Sequence, residues 1–91
     1  MNLIKTKLED YKNSTYQGQL IFSSTRFSLL LKKIDNLVHF FLYQQNDLVV
    51  SGIYNKNDLI VKENIKWMNS SNEKVINLMD DIFSFMHLEP L

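Results

Sequence analysis

The chain lacks cysteine and has only one proline, two glycines and one arginine among its 91 residues. Without cysteine it can form no disulfide, no thiolate metal site and no thiol nucleophile. The two glycines, Gly18 and Gly52, stand apart, which excludes a glycine-rich loop that cradles phosphates. The sole proline, Pro90, is expected beyond the last structural element, and no linker divides the chain. We therefore expect a single domain over residues 1–91.

Long apolar runs are absent as well. The first ten residues have no continuous apolar core of the kind found in signal peptides. No apolar run approaches the roughly 18–20 residues that a membrane-spanning helix requires. Together with the absence of cysteine, which suits a reducing compartment, this favours a cytoplasmic protein with no membrane contact.

The net charge is zero, but the two parts of the chain differ in sign. Residues 1–33 carry a net charge of +4, and residues 34–91 carry −4. Such an asymmetry is found in proteins with a polyanion-binding half. The interpretation we favour is that folding interleaves the two parts and leaves no large region of one sign.

Residues 15–67 show the alternation of apolar and polar residues that is typical of strands. Breaks rich in serine, asparagine and aspartate separate the strands, and such short breaks permit only antiparallel neighbours. The predicted strands are Tyr16–Phe22, Arg26–Ile34, Leu37–Tyr43, Leu48–Tyr54 and Leu59–Trp67. The sequence thus predicts a five-stranded antiparallel β-meander.

Turn length sets the register of each predicted hairpin and therefore the face on which each side chain lies. A two-residue turn at Asp35-Asn36 pairs Leu31 with Phe40, and one at Ser24-Thr25 sets Phe22 opposite Phe27. A three-residue loop at residues 45–47 places Leu48 and Val50 on the same face. The last hairpin sets Tyr54 opposite Leu59, Gly52 opposite Val61 and Val50 opposite Glu63. The predicted inner face consists of Leu20, Phe22, Phe27, Leu29, Leu31, Val38, Phe40, Leu42, Leu48, Val50, Tyr54, Leu59 and Val61.

Helices are predicted at both ends of the chain. Residues 2–12 place Ile4, Leu8 and Tyr11 on one narrow stripe. Near the other end, Ser70 and Glu73 form a capping box at the start of a broadly amphipathic helix. Its apolar half consists of Val75, Ile76, Leu78, Met79, Ile82, Phe83, Phe85 and Met86. The predicted fold class is α+β, with this C-terminal helix packed on the inner face and Phe83 accommodated by a glycine such as Gly52.

The opposite side of the predicted sheet, the outer face, is half apolar, whereas a solvated sheet face is usually polar. Its predicted members are Ile21, Arg26, Leu30, Lys32, Ile34, Leu37, His39, Phe41, Tyr43, Val49, Ile53, Ile60, Lys62 and Lys66. We expect the N-terminal helix to cover this face; the alternatives are a homodimer interface and a foreign partner. The candidate partner-binding residues are Leu30, Lys32, Leu37, His39, Phe41, Tyr43, Lys62 and Lys66.

The sequence offers no convincing catalytic or metal-binding set. The two histidines, His39 and His87, fall in different elements, and a nucleophilic or metal site requires several converging groups. Asp80 and Asp81 point about 100° apart on a helix, so we expect both on a solvated face. We expect Glu63 to point inward from the last strand and to block edge-to-edge pairing; the alternative is an acid with a raised pKa. No catalytic residue, metal ligand or cofactor is predicted.

These observations predict a small non-catalytic protein-interaction module of the inhibitor, immunity, anti-defence or chaperone-like kind. It would bind a protein partner, or a second copy of itself, through a sheet face, with Phe41, Tyr43 and Trp67 as candidate anchors. The alternative is a nucleic-acid-binding protein whose lysines on the same face contact phosphates while aromatic rings stack on bases. The zero net charge and the single arginine weigh against that alternative.

Overall fold

A computed structural model describes residues 3–55, 58–64, 72–85 and 89–90. The elements, in chain order, are α1 (Leu3–Asn13), β1 (Leu20–Ser23), β2 (Phe27–Ile34), β3 (Leu37–Gln44), β4 (Asp47–Asn55), β5 (Asp58–Asn64), α2 (Asn72–Phe85) and β6 (Glu89–Pro90). The predicted α+β order of helix, antiparallel meander and helix is confirmed. No helix among these residues is long and apolar enough to cross a membrane.

The strands form one antiparallel sheet in the order β5-β4-β3-β2-β1-β6. Each of β1 to β5 pairs with its neighbour in the chain, as the short breaks predict. The two-residue strand β6 was not expected. It pairs with β1, so the expectation that Pro90 lies beyond the last element is wrong. A proline is tolerated there because an edge position does not require its missing N–H group.

The β2–β3 hairpin has the register that its turn predicts. Asp35 and Asn36 have φ angles of 52° and 65°, so both adopt the left-handed conformation of a type I′ turn. Leu31 lies opposite Phe40, as expected. The backbone twist of this turn matches the right-handed twist of the two strands. The register that it sets determines which side chains of the sheet share a face.

The β1–β2 connection is longer than predicted. Phe22 lies opposite Leu29, not Phe27, and three residues separate the strands. The Ser24 hydroxyl accepts hydrogen bonds from the backbone amides of Arg26 and Phe27, at 3.3 and 3.2 Å, and so closes the wider turn. Since the register shifts by two residues, each side chain keeps its predicted face.

The β3–β4 hairpin differs from the prediction because a bulge follows its turn. The predicted three-residue loop is a two-residue turn, Gln45-Asn46, closed by the pairing of Gln44 with Asp47. Leu48 therefore lies opposite Tyr43 on the outer face, and its predicted inward position is wrong. The register then shifts, and Val50 pairs with Leu42 on the inner face as predicted.

Val49 is the extra residue of this bulge. The sequence predicts it on the outer face; in the structure it is fully buried, and the strand pairing gives it no partner. It also lies outside the hydrophobic cluster of the inner face. A residue inserted into one strand of a pair has no partner opposite it and departs from the two-residue alternation.

A second bulge interrupts the β4–β5 pairing. Tyr54 pairs with Leu59, and Gly52 pairs with Val61, as predicted. The register then shifts, so that Glu63 lies opposite Ser51 on the outer side and is exposed. The expectation that Glu63 points inward is therefore wrong, because one inserted residue reverses the face of those that follow.

Both helices pack on the inner face. Ile4, Leu8 and Tyr11 of α1 are buried there together with Val75, Met79 and Ile82 of α2. The strand residues of the same cluster are Phe22, Leu29, Leu31, Val38, Phe40, Leu42, Val50, Tyr54 and Leu59. The expectation that α1 covers the outer face is therefore wrong. Five strands span about 24 Å, which one helix about 10 Å wide cannot cover; two helices side by side can.

Asp80 joins the two helices. Its Oδ1 accepts a hydrogen bond of 2.6 Å from the backbone amide of Ile4, one of the unpaired donors at the start of α1. The predicted solvated position of Asp80 is therefore wrong, since its side chain is half-buried between the helices. Asp81 is exposed, as expected. Burial raises the pKa of the Asp80 carboxyl, and the hydrogen bond from Ile4 lowers it by less.

Polar contacts hold α1 and the segment after it against the sheet. The Tyr54 hydroxyl donates a hydrogen bond to the Glu9 carboxylate, and this bond lowers the pKa of Glu9. The Lys33 ammonium donates to the carbonyl oxygens of Ser14 and Tyr16, at 2.9 and 2.6 Å. These hydrogen bonds tie the segment before β1 to Lys33 of β2, so this segment is not paired as a strand. This explains why β1 begins at residue 20 and not at residue 16, as the sequence predicts.

Gly52 makes room for a ring from the neighbouring strand. A Cβ atom at this position would meet the backbone carbonyl oxygen of Ile60 and, at 2.5 Å, Cζ of Phe40. Phe40 lies directly opposite Gly52 in the β3–β4 pairing and is fully buried. The residue that requires the glycine is thus Phe40 and not Phe83, whose side chain lies outside the described part of the structure.

We predict that Gly52→Ala lowers the free energy of unfolding by about 1–3 kcal/mol, because the added methyl group overpacks a buried contact between backbone and ring. Gly18→Ala is the matched control. Its Cβ would meet only the end of the exposed Tyr16 side chain, which can move aside. Urea unfolding of the two variants measures the difference. Equal stabilities would contradict the packing argument.

We predict that Asp80→Ala lowers the free energy of unfolding by about 1 kcal/mol, as loss of a helix N-terminal cap does. Asp80→Asn keeps an oxygen that accepts the hydrogen bond from the Ile4 amide, so it should retain most of the stability that Asp80→Ala loses. Asp81→Ala should have little effect on stability. The folded-state pKa of Asp80 is raised, so the contribution of this carboxyl to stability falls as pH rises from 3.8 through the raised value, whereas Glu9, whose pKa is lowered, contributes in the opposite direction. Asp80→Asn should lack this decline in urea unfolding measured across that pH window.

Candidate functional site

The outer face is the side of the sheet that neither helix covers. We define it from the observed registers as Ile21, Leu30, Lys32, Ile34, Leu37, His39, Phe41, Tyr43, Leu48, Ser51, Ile53, Ile60 and Glu63. All of these residues except Ser51 are half-buried or exposed. Most are apolar, which makes this an exposed apolar sheet face of the kind that marks interaction sites.

The structure brings most of the predicted partner-binding residues together on this face. Those present are Leu30, Lys32, Leu37, His39, Phe41 and Tyr43. Lys62 is exposed, but it is the extra residue of the second bulge, and the strand pairing assigns it to neither face. Lys66, like the candidate anchor Trp67, lies outside the described residues. Arg26 is exposed in the turn between β1 and β2 and is not part of the face.

The most exposed aliphatic side chains gather at one end of the outer face. Ile34 and Leu37 lie opposite each other beside the β2–β3 turn, with 43% and 36% of their surface exposed. Ile60, which is 45% exposed, lies opposite Ile53 near the β4–β5 turn at the same end of the sheet. These four side chains form an aliphatic patch on four adjacent strands.

The centre of the outer face combines aromatic rings with positive charge. The Lys32 ammonium lies 5.5 Å from the centroid of the Phe41 ring, within the range of a cation–π interaction. His39 lies opposite Lys32 on the adjacent strand. The Phe41 ring is therefore already in contact with a cation from the same chain, and any ligand that stacked on it would compete with Lys32.

Three members of the outer face, Leu48, Ser51 and Glu63, were not predicted to lie there. Leu48 owes its position to the two-residue turn before the bulge at Val49, and Glu63 owes its position to the second bulge. Ser51 follows the alternation between the inward Val50 and Gly52. A positive φ of 56° at Gln45 closes this turn, although glutamine rarely adopts that conformation. A two-residue turn at Gln45-Asn46, in place of the predicted three-residue loop, would have placed Leu48 on the outer face. No residue type in the sequence, however, indicates the bulge at Val49.

A surface cavity of about 670 Å³ opens between α1 and β1. Its lining is Lys7, Asp10, Tyr11, Ser14, Tyr16, Gln19, Leu20, Ile21 and Phe22. Burial raises the pKa of the Tyr11 phenol, whose hydroxyl donates a hydrogen bond of 2.6 Å to the Gly18 carbonyl oxygen. This phenol is therefore a structural donor and not a base at neutral pH. The sequence did not predict the cavity, because it forms only where α1 crosses the inner face.

A second, polar cleft of about 550 Å³ lies beside the end of α1, with Lys12 and Lys33 in its lining. The Lys33 ammonium already bonds two backbone carbonyl oxygens and the Ser14 hydroxyl. The ammonium group of Lys33 is therefore already hydrogen-bonded within the protein, and the cleft offers no converging pair of cations.

No acid–base or metal-binding set emerges around the candidate residues. Within residues 3–55, 58–64, 72–85 and 89–90, no three histidine, aspartate or glutamate side chains group closely enough to hold a metal ion. His39 is half-buried among Lys32 and aliphatic residues of the outer face.

The chain was compared with known proteins at three levels. It matches no protein-family model, no curated protein sequence and no solved structure. The functional argument therefore starts from the geometry of the outer face.

We predict that Leu37→Asp lowers the free energy of unfolding by about 1 kcal/mol or less, because Leu37 is exposed and only the strand preference is lost. Val38→Asp, one residue along, should prevent folding because it buries a charge in the inner cluster. Circular dichroism and urea unfolding of the two variants test this contrast. A Leu37→Asp protein that failed to fold would show that the outer face is covered by the chain's own core.

Proposed function

We propose that the protein is a small non-catalytic interaction module that binds a protein partner through its outer face. The observation that supports this proposal is that both helices pack on the inner face and leave an apolar sheet face exposed. Soluble proteins rarely keep such a face without a partner, because exposed apolar area is costly in water. An inhibitor, immunity, anti-defence or chaperone-like role requires no more than such a surface on a stable scaffold.

The face has the composition of a protein-binding surface. Phe41 lies near its centre and Tyr43 near the β3–β4 turn, and aromatic residues are enriched among those that carry most of the binding energy of interfaces. The aliphatic patch of Ile34, Leu37, Ile53 and Ile60 offers the apolar area, and Lys32, Lys62 and Glu63 supply polar groups around it. A partner would bury the patch and place its own polar groups near these charges.

Nucleic-acid binding is the alternative to test. Lys32, His39, Phe41 and Tyr43 share one sheet face, and Lys62 is exposed on β5, which favours it. Two observations weigh against it: the Phe41 ring is in contact with the Lys32 ammonium, and the most exposed side chains are aliphatic and cannot stack on bases. The proposal keeps the cytoplasmic location expected from the cysteine-free sequence and assigns no enzymatic activity.

We predict that Leu37→Asp and Ile60→Asp each reduce capture of a protein partner by tenfold or more (about 1.4 kcal/mol), because each places a charge in the apolar patch. The measurement is quantitative pull-down from the source cell with the purified, immobilised variants. Tyr16→Asp is the matched control, since Tyr16 is 54% exposed and lies off the outer face. Equal loss in all three variants, or in none, would contradict the proposal.

Single-stranded RNA and DNA binding by fluorescence anisotropy separates the two hypotheses. Phosphate contacts weaken steeply with salt because binding releases counterions. We expect no binding even at low salt. Salt-sensitive binding that is lost in Lys32→Ala and Lys62→Ala would instead support the nucleic-acid alternative.

A further inference from the structure

We propose that the cavity between α1 and β1 binds a small amphipathic molecule that has an apolar body and a single anionic group such as a carboxylate. This site adds to the partner-binding outer face and does not depend on it, since the four residues of the aliphatic patch do not line the cavity. Three features of the cavity support the proposal: its apolar wall, the hydrogen bonds that fix this wall, and a half-buried lysine in the lining.

The apolar wall of the cavity comes from β1 and from two tyrosines. Leu20, Ile21 and Phe22 of β1 contribute to the lining, as do Tyr11 and Tyr16. The cavity volume of about 670 Å³ falls within the range of about 300–1,000 Å³ that is typical of small-molecule sites, whose walls are mostly apolar. The cavity therefore has the size and the lining to take up an aliphatic chain or an aromatic ring.

Hydrogen bonds fix the segment that connects α1 to β1 and forms part of the cavity wall. The Tyr11 hydroxyl donates to the Gly18 carbonyl oxygen at 2.6 Å, and the Tyr16 hydroxyl donates to the Gln19 carbonyl oxygen at 3.0 Å. The Lys33 ammonium holds the start of the same segment. A wall that is already ordered before a ligand binds loses little conformational entropy on binding, so the affinity is higher.

The charged groups of the lining favour an anionic ligand. They are Lys7 and Asp10, which lie three positions apart on α1. Lys7 is half-buried, and its ammonium has no hydrogen bond or ion pair with any residue that the structure describes, Asp10 included. Partial burial strengthens the attraction of this ammonium for an anion, because the effective dielectric constant is lower there than in water. Asp10 is exposed, so water and salt screen its carboxylate.

The same two charges favour a ligand with only one negative charge. A carboxylate that binds the Lys7 ammonium satisfies the unpaired cation. A phosphate monoester carries a second negative charge, which the nearby Asp10 carboxylate would repel. The chemistry that fits the cavity is therefore that of a monocarboxylate with an apolar chain or ring.

The test uses three probes that separate the apolar body from the charge: decanoate, decylammonium and acetate. Backbone amide chemical shifts of the isotope-labelled protein show, residue by residue, where each probe binds. Decanoate should shift the signals of the α1 and β1 residues of the lining in a saturable way and leave those of the aliphatic patch unchanged. Decylammonium, with the same chain and the opposite charge, should bind about tenfold more weakly (about 1.4 kcal/mol). Acetate lacks the chain and should not saturate the site at the same concentrations.

Lys7→Gln should raise the dissociation constant of decanoate about tenfold and leave that of decylammonium unchanged, because it removes only the charge that the carboxylate contacts. Lys32→Gln is the matched control. It removes a lysine that lies beside the Phe41 ring on the outer face, the other apolar surface, and should leave decanoate binding unchanged. Circular dichroism confirms that both variants are folded.

The absence of saturable decanoate binding would overturn the proposal, and so would decanoate shifts confined to the outer face. Equal effects of Lys7→Gln and Lys32→Gln would also contradict it. Decylammonium binding as tight as that of decanoate, or tighter, would show that Lys7 does not select the ligand. The proposed partner binding is decided separately, by the pull-down comparison of Leu37→Asp with Tyr16→Asp.

Discussion

The packing of α1 and α2 side by side on one face of the sheet is the contact on which the rest of this structure depends. Ile4, Leu8 and Tyr11 of α1 and Val75, Met79 and Ile82 of α2 are buried in one cluster with the strand residues of that face. Each large side chain fully removed from water contributes about 1.5–3 kcal/mol, so the inner face supplies most of the stabilisation. With both helices engaged there, none remains for the outer face, which is the physical basis of its exposure.

Polar contacts set where the helices lie on that face. Asp80 bonds the first turn of α1, and Tyr54 bonds Glu9 in its middle, so the helix is tied both to α2 and to the sheet. Lys33 then holds the segment after α1 through backbone carbonyl groups. Apolar packing alone is not directional, whereas these hydrogen bonds are, and together they orient α1 along the inner face.

Much of the fold could be predicted from local signals. The Asp35-Asn36 turn predicted the β2–β3 register because both residue types tolerate positive φ. Six of the eight candidate binding residues lie on the predicted face. Their face is kept because a register shift of two residues at the β1–β2 turn preserves the two-residue alternation. The bulges at Val49 and before Glu63 could not be predicted, because inserting one residue changes no composition or periodicity that a local pattern records.

The sequence by itself determined the elements, their antiparallel order and the apolar character of both sheet faces, because alternation and turn chemistry are local properties. Only the tertiary structure decided which face each helix covers. A stripe such as Ile4, Leu8 and Tyr11 fits either apolar face, and the choice depends on the width of the inner face and on distant partners such as Asp80. That choice, made between residues far apart in the chain, leaves the outer face available for binding.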